Sequence, residues 1–380
     1  MDIVSSAYHV LSAYLIFLLG GAVSVTVGRA FGINALRSLG LYAWHTLFSM
    51  LYLWYLLKSG GDAIEYFRNA QLWTGEVGIG TSSIIALSGL LASGLGLSIL
   101  GVFLTFNIFG QVGLLGFAAS LREATAGATW RIRALATVIV FLPSVSFWSS
   151  ALGKDAISFM ATGLALWSSL KLSRRGALMT FSICAMFLVR PHMAGIMTMA
   201  ITIAFLIDSH APAFKKLLLA VGAGGAAAVL IPFALHYAGV GEVVSAESIT
   251  EYIDKRQSYN TEGEASVNIA SMSLPMQLFT YLFRPMLFEV RGVFSFAASI
   301  DNVILLGLFV FGGLALLRGR RTGLGENRIF MWTYALGSWL VLAMMTANLG
   351  IALRQKWMFA PMLIFLLISV IGRRRRVTAE

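Results

Sequence analysis

The sequence predicts an all-α fold: a polytopic integral membrane helical bundle with about eleven transmembrane helices. Hydrophobic residues make up 58% of the 380 residues and charged residues only 12%, so a water-soluble core could not bury the apolar surface. The apolar residues also occur in runs of about fifteen to twenty-three between charged residues, and a helix of that length crosses a bilayer. We therefore expect one transmembrane domain over 1–380, with outer loops at 58–80 and 239–299.

The positive charges of the chain predict its orientation in the membrane. The formal net charge is +11, and the lysines and arginines stand in short groups beside apolar segments. This pattern is typical of cytoplasmic loops, so we interpret it as membrane topology and expect no nucleic-acid partner. If all these groups are cytoplasmic, the number of crossings places the N-terminus outside and the C-terminus inside a bacterial-type inner (plasma) membrane.

The apolar runs define the expected elements in order. Single crossings are expected at 8–27, 39–57, 98–121, 134–150, 156–170, 220–237, 303–317, 329–346 and 357–371. The uncharged, Gly-rich stretch 78–121 is too long for one crossing, and two would invert every later basic group, so 81–97 is expected to be interfacial or re-entrant and 98–121 to be the single crossing. Both ends of 175–208 should be cytoplasmic, which predicts a hairpin of two short helices with Arg190 to His192 at its outer tip.

A polar insert, KSGGDAIEYFRNAQLW at 58–73, follows the second expected crossing. Asp62 followed by Glu65 has the spacing of a capping box, which predicts a short helix beginning at Gly61 or Asp62. On that helix the polar residues share one face and the apolar residues another, so the acids face water. The polar face holds Asp62, Glu65, Tyr66 and Asn69, and the apolar face holds Ala63, Phe67 and Ala70. Asp62 is either a helix cap or a catalytic base.

The ionisable residues that stand apart from the basic groups are all expected on the outer side of the membrane. A transport pathway would place them in mid-bilayer or on both faces, so the pattern predicts a site at the outer surface. Carboxylates with several cations suit a reaction in which a base removes a proton while cations hold a phosphate-bearing leaving group, as in a lipid-linked phosphosugar. The residues are Asp62, Glu65, Lys154, Asp155, Arg190, His192, Arg284, Glu289, Arg354 and Lys356.

Five segments of the chain resemble parts of known membrane enzymes. GGDAIEYFRNAQ at 60–71 resembles the first outer loop of GT-C glycosyltransferases, in which an acid precedes a tyrosine by a few residues. PSVSFWSSALGKDAISF at 143–159, LVRPHMA at 188–194, LFRPMLFEV at 282–290 and NLGIALRQKWMFAPML at 348–363 resemble segments of exopolysaccharide or O-antigen polymerase-like proteins. They are spread in order along most of the chain, from residue 60 to residue 363.

The resemblance implies a GT-C-like transferase that uses a polyprenyl-(pyro)phosphate-linked sugar donor and a glycan acceptor, among membrane lipids at the outer face of the inner membrane. It implies Asp62 as the general base and places the Arg-bearing motifs on the phosphate side. Glu65 is the second catalytic candidate. The residues expected to bind substrate are Tyr66, Lys154, Asp155, Arg190, His192, Arg284, Glu289, Arg354 and Lys356. Transfer of single sugars and polymerisation of repeat units both remain open.

Several candidates also have a simpler interpretation. Lys154 and Asp155 would equally form an ion pair that closes a tight turn. Arg190 lies between two apolar runs, where a cation needs a partner or a ligand, or else snorkels from a helix end. His192 is more often a satisfied polar residue than a metal ligand, and the spacing of the five histidines predicts no zinc site.

The remaining polar segments, the cofactor and the function each allow two interpretations. Arg284 and Arg354 either contact phosphate or anchor helix ends, and the acidic stretch 242–264 is a solvated loop or a lid over bound acceptor. A divalent cation, Mg²⁺ or Mn²⁺, could bridge Asp62 and the donor phosphate, although one or two carboxylates do not establish a cofactor. The alternative function is a lipid-linked saccharide flippase or exporter that forms no bond. An acyltransferase would need a His or His-Asp site, which the sequence does not reveal.

Overall fold

The computed structural model of the protein describes residues 3–208, 214, 221, 224–225, 269, 272–290, 292–319, 327–346 and 348–371. Within these residues every regular element is helical, so the all-α prediction is confirmed. The predicted crossing at 220–237 lies outside the described residues apart from Val221, Gly224 and Gly225, and the predicted acidic loop at 242–264 lies wholly outside them. The outer loop predicted at 239–299 is described only in its later part.

The helices of the first half of the chain follow one another with short connections. They are α1 (Ala7–Ala30), α2 (Ala35–Ser59), α3 (Asp62–Gln71), α4 (Thr81–Gly89), α5 (Ile99–Ala124), α6 (Trp130–Val140), α7 (Pro143–Ser149), α8 (Lys154–Ser169) and α9 (Leu172–Val189). A π-helical turn, Leu90–Gly94, continues α4. Polar caps begin the first two helices: the Ser6 side chain accepts a hydrogen bond from the N–H of His9, and the Asn34 side chain accepts one from the N–H of Arg37.

The second half adds six described α-helices and two short 3₁₀ turns. The helices are α10 (Pro191–Asp208), α11 (Leu274–Phe283), α12 (Val293–Leu317), α13 (Arg328–Met344), α14 (Leu349–Gln355) and α15 (Ala360–Ile371). The 3₁₀ turns are Leu287–Glu289 and Lys356–Met358. The helix predicted to begin at residue 303 begins at Val293, where the N–H of Gly292 donates to Ser295 Oγ at 2.9 Å and the Ser295 hydroxyl donates to the carbonyl oxygen of Gly292 at 2.8 Å.

Among the described residues, five helical segments are long and apolar enough to cross a membrane. They are Ala7–Ala30, Ile99–Ala124, Trp130–Ser149 (α6 and α7 taken together), Leu172–Val189 and Val293–Leu317. A sixth results if Leu349–Met358 and Ala360–Ile371, which are bent by 64° at their junction, form one broken crossing. These helices indicate a membrane-embedded protein. Thr81–Gly94, expected to be interfacial or re-entrant, is one of the shorter apolar helices, and the count of about eleven crossings stays a prediction.

The chain divides into two compact units. The first unit contains Met1–Ser120, Thr137–Ser168 and Ser173–Arg190, and the second contains Leu121–Ala136, Ser169–Leu172 and Pro191–Glu380.

Glycines bring the helices of the first unit into close contact. A Cβ atom on Gly163 of α8 would lie 2.2 Å from the carbonyl oxygen of Gly113 on α5, so the two backbones touch. A Cβ on Gly110 would lie 1.9 Å from the carbonyl oxygen of Ser149, at the end of α7. Small residues are the usual means by which membrane helices approach this closely. The end of α7 is therefore fixed against α5.

The second unit is built around α15. Residues 360–370 of this helix are all buried, and α12 and α13 both pack against it. Its 12 residues extend about 18 Å, which is too short to cross a bilayer core of about 30 Å alone. The crossing predicted at 357–371 is therefore shorter than expected and bent at its start.

Candidate functional site

The helix predicted in the polar insert is present as α3 and begins at Asp62. Gly61 is its N-cap, with φ at 140°, a conformation that glycine adopts without strain. Asp62 is thus the first helical residue and not the cap, so the predicted capping box between Asp62 and Glu65 is wrong. Glu65 instead accepts a hydrogen bond of 2.8 Å from Arg68.

The apolar face of α3 is buried as predicted, whereas Tyr66, predicted on the polar face, packs against the hydrophobic core. Ala63, Phe67 and Ala70 are buried, while Asp62 and Glu65 are exposed. The buried face belongs to the hydrophobic core of the first unit. Its polar face therefore presents the two acids away from that core.

A buried ion pair joins α8 to the end of α9. Arg190 Nη2 donates a hydrogen bond of 2.7 Å to Asp155 Oδ1, and both side chains are largely enclosed. The Nε–H of Arg190 is buried and has no hydrogen-bond partner among the described residues. Enclosing two charges costs free energy that their attraction only partly offsets.

The sequence predicts a loop at Lys154 and Asp155, but these residues form the first turn of α8. Gly153 precedes them with φ at 154°, which lets the chain turn sharply into the helix. An acid in the first turn is stabilised by the positive end of the helix dipole, which explains why the helix starts at this point. Lys154 and Asp155 are half-buried, so this first turn of α8 is partly accessible from the surface.

One hydrophobic core positions these elements together. Phe67 of α3, Leu152 and Ala156 around the start of α8, and Val189 at the end of α9 belong to the same cluster of buried residues. Tyr66 packs against that cluster, and its ring lies 3.8 Å from the position of a Cβ built on Gly153. The structure therefore brings Tyr66 close to the turn that carries Lys154 and Asp155.

The end of α9 is also held by hydrogen bonds. The N–H of Gly80 and the hydroxyl of Ser83 both donate to the carbonyl oxygen of Leu188, at 2.8 and 2.9 Å. These two contacts come from the start of α4. They fix the last turn of α9, and with it the backbone that carries Arg190.

A buried polar network in the first unit was missed by sequence reasoning. His45 Nδ1 lies 2.6 Å from Asn107 Oδ1, and His45 Nε2 lies 2.9 Å from Ser149 Oγ. Ser49 donates a further hydrogen bond of 3.2 Å to the carbonyl oxygen of Ser150. The arrangement of Ser149, His45 and Asn107 resembles a serine nucleophile with its histidine base and the residue that orients the base. All three side chains are buried, so they are not accessible to a substrate. The network instead fixes the end of α7, just before the turn to α8.

The second unit contains another predicted pair, Arg284 and Glu289. Two nitrogen atoms of Arg284 donate to Glu289 Oε1, and the N–H of Met286 donates to Oε2 at 2.8 Å. Burial opposes ionisation of the carboxyl, but these hydrogen bonds and the charge of Arg284 outweigh it, so the pKa of Glu289 lies below its ordinary value. Both side chains stay partly exposed, so Arg284 is accessible to a ligand.

The outer loop predicted around Arg354 and Lys356 is wrong. Residues 349–355 form α14, whose N-cap Asn348 accepts hydrogen bonds from two backbone N–H groups, and Lys356 opens a 3₁₀ turn. Lys356 is fully buried and donates to Asn302 Oδ1. It therefore cannot contact a surface substrate directly, whereas Arg354 is only half-buried.

The predicted site residues thus fall into two groups. The first unit holds Asp62, Glu65, Tyr66, Lys154, Asp155 and Arg190. The second unit holds His192, Arg284, Glu289, Arg354 and Lys356. His192 is half-buried in the first turn of α10. A single pocket that unites both groups stays a prediction.

In the part of the chain that the structure describes, no group of three or more His, Cys, Asp or Glu side chains is arranged to hold a metal ion. Comparison with protein-family models, with curated proteins and with solved structures finds no match.

Proposed function

We propose that the protein is a GT-C-like membrane glycosyltransferase or polysaccharide polymerase with about eleven crossings. It transfers a sugar from a polyprenyl phosphate or pyrophosphate carrier to a glycan acceptor, at the outer face of the inner membrane. In this orientation the N-terminus is outside and the C-terminus is cytoplasmic.

The observation that supports this proposal most is the position of Arg190. Its guanidinium is buried, is paired with Asp155 on one side and has a spare Nε–H. The same hydrophobic core that encloses this pair also seats α3, which carries Asp62. A buried arginine with an unused donor suits a phosphate group, and an exposed carboxylate suits a base for a sugar hydroxyl.

In the proposed reaction Asp62 takes the proton from the acceptor hydroxyl. The hydroxyl oxygen then bonds to the anomeric carbon of the donor, and the bond from that carbon to the phosphate oxygen breaks. Arg190 stabilises the negative charge that the phosphate retains. If a divalent cation took part, Asp62 would be its protein ligand, and the cation would supply positive charge to offset the negative charge on the phosphate.

Asp62 is the residue that the resemblance to GT-C glycosyltransferases gives as the base, and the Glu65 carboxylate is bound by Arg68. Replacing the base by a neutral amide should therefore stop transfer, while the matched change at Glu65 should not. The experiment compares Asp62→Asn and Glu65→Gln in proteoliposomes supplied with carrier-linked sugars extracted from the source cells. Loss of transfer with normal membrane insertion is expected for Asp62→Asn, and full activity of this variant would remove Asp62 from the mechanism.

Within this proposal, a sugar transferase and a repeat-unit polymerase differ in the length of the donor. A deletion strain distinguishes them, because loss of a polymerase should cause carriers with a single repeat unit to accumulate. Loss of a transferase should instead leave carriers or acceptors that lack one sugar.

A flippase or exporter of lipid-linked saccharides is the second candidate, and one observation favours it. Lys356 and Asp301 are fully buried within the second unit, beside a bent pair of helices, and transporters use buried ionisable residues at such places. Proteoliposomes distinguish the two functions: an exporter moves labelled carrier across the bilayer without forming any new glycosidic bond.

A further inference from the structure

A continuous chain of hydrogen bonds connects the buried Lys356 to the segment that carries Arg284. The ammonium group of Lys356 donates to Asn302 Oδ1. The Nδ2 group of the same asparagine donates to the carbonyl oxygen of Pro285, at 3.0 Å. Lys356 and Asn302 are fully buried, whereas Arg284, next to Pro285, reaches the surface with a quarter of its side chain exposed.

Lys356 determines which way round the amide of Asn302 lies. The amide has one acceptor end and one donor end, and the ammonium group can only donate. The oxygen of Asn302 must therefore face Lys356, which leaves the Nδ2 group facing the carbonyl oxygen of Pro285. Without the lysine, the amide loses the contact that orients it.

Asp301 offsets part of the cost of burying the charge of Lys356. It is the neighbour of Asn302 on α12, is fully buried and stabilises the ammonium group electrostatically, but burial of Lys356 has the larger, opposing effect. A buried charge is costly to retain when a neutral side chain would pack equally well. A buried Lys and a buried Asp are explained if they hold another part of the protein in position, here the segment at Pro285.

Arg284 is restrained from two directions. On the side-chain side, Glu289 accepts hydrogen bonds from its guanidinium. On the backbone side, Asn302 holds the carbonyl group of the next residue. A guanidinium restrained in this way keeps its remaining donors aimed in a fixed direction, as bidentate recognition of a phosphate requires.

We propose that Lys356 and Asn302 are positioning residues, which hold Arg284 in the geometry that receives the phosphate groups of the donor. This inference deepens the proposed function and rests on it for the identity of the donor. The ligand class is a pyrophosphate or phosphate group attached to a lipid carrier.

Binding of inorganic pyrophosphate to the purified full-length protein tests this inference without requiring turnover. Lys356→Met and Asn302→Ala should each weaken binding about tenfold, the lower end of the loss that follows when a residue orienting a binding group is removed. Both residues act through the same series of hydrogen bonds. The double variant Lys356→Met with Asn302→Ala should therefore also bind pyrophosphate about tenfold more weakly than the wild type, whereas two independent effects would multiply to about a hundredfold. In an Arg284→Gln background neither change should have a further effect.

Arg328→Met provides the matched control, because Arg328 is another enclosed cation of the same unit and bonds to Ser369 instead. This variant should bind pyrophosphate as the wild type does. If Lys356→Met does not fold, Lys356→Met with Asp301→Asn removes both charges and should show the same tenfold weakening.

Independent, multiplying effects of Lys356→Met and Asn302→Ala would overturn the inference, and so would equal effects of Arg328→Met and Lys356→Met. Binding by the wild type that is no tighter than binding by Arg284→Gln would overturn it as well. A different result would reject the proposed sugar transfer and leave this inference intact: Lys356→Met and Asn302→Ala have the expected non-additive effect on pyrophosphate binding, but the wild-type protein forms no glycosidic bond.

Discussion

Two ion pairs of the first unit have almost the same length and opposite surroundings. Arg190 and Asp155 are 2.7 Å apart, with side chains 9% and 14% exposed. Arg68 and Glu65 are 2.8 Å apart, with side chains 61% and 60% exposed. Water and salt screen the second pair, so it contributes about 0–1 kcal/mol, whereas the first is shielded from both. The comparison shows that burial, more than distance, determines how strongly a charged pair affects stability.

The buried pair was also the harder one to predict. Glu65 and Arg68 are three residues apart on one helix, so any helical wheel brings them together. Asp155 and Arg190 are separated by 35 positions and meet only because α8 and α9 share a core. An interaction that depends on tertiary packing is more specific to the fold, and therefore more informative about function.

The largest effect should follow from breaking the buried pair. Arg190→Met leaves the Asp155 carboxylate enclosed without its cation, which should destabilise the protein by about 3–5 kcal/mol. Denaturation of the purified protein in detergent measures this loss. Arg190→Met with Asp155→Asn removes both charges and should recover part of it. Equal stability of the single variant and the wild type would contradict the buried character of the pair.

A smaller loss should follow from His45→Phe, which tests whether the polar network supports the turn before the buried pair. The change leaves Asn107 Oδ1 without the histidine and removes one of the two contacts of Ser149 Oγ, and a buried group left unsatisfied costs about 1–3 kcal/mol. His9→Phe is the matched control, because His9 is partly exposed and its ring nitrogen Nδ1 bonds to Ser5 near the start of the chain. Thermal unfolding should separate the two variants, and identical curves would show that the network contributes nothing.

The pair of Arg284 and Glu289 has intermediate exposure and makes a prediction about pH. Because the pKa of Glu289 is lower in the folded protein than in the unfolded chain, its contribution to stability is present above the ordinary pKa of 4.5. This contribution is lost as the pH falls through the folded value. Unfolding measured from pH 7 to pH 3 should therefore show a steeper acid loss for the wild type than for Glu289→Gln. Parallel pH profiles would contradict the assignment.

The smallest effect should come from Arg68→Ala, which breaks the exposed pair. We expect a change in the free energy of unfolding of about 1 kcal/mol or less, and less still at high salt. The same denaturation assay used for Arg190→Met measures it. A loss as large as that of Arg190→Met would remove the distinction between the two pairs.

Sequence patterns predicted the features that depend on local order. The start of α3, the burial of its apolar face and the helix break at Arg190 follow from Gly, Pro and the spacing of apolar residues. The membrane character follows from composition alone. These predictions needed no knowledge of which helices pack together.

Features that depend on packing between distant segments could not be predicted. The polar run around Lys356 has the composition of a surface loop, yet it folds into helices whose lysine is buried against Asn302. One signal was present, since Asp301 and Asn302 interrupt an otherwise apolar run on α12. Polar residues at such places usually have a partner. His45 and Ser149 are 104 positions apart, and no local pattern connects them.

The most direct test of the proposed site is the steady-state rate of sugar transfer by Arg190→Lys in proteoliposomes. Lysine keeps the positive charge but loses the planar fork that bonds Asp155 and offers a further N–H. If Arg190 belongs to the phosphate site, the KM for the carrier-linked donor should rise and kcat should fall, while Glu65→Gln leaves both unchanged. Unaltered kinetics of Arg190→Lys in a folded, membrane-inserted protein would show that the buried pair takes no part in transfer.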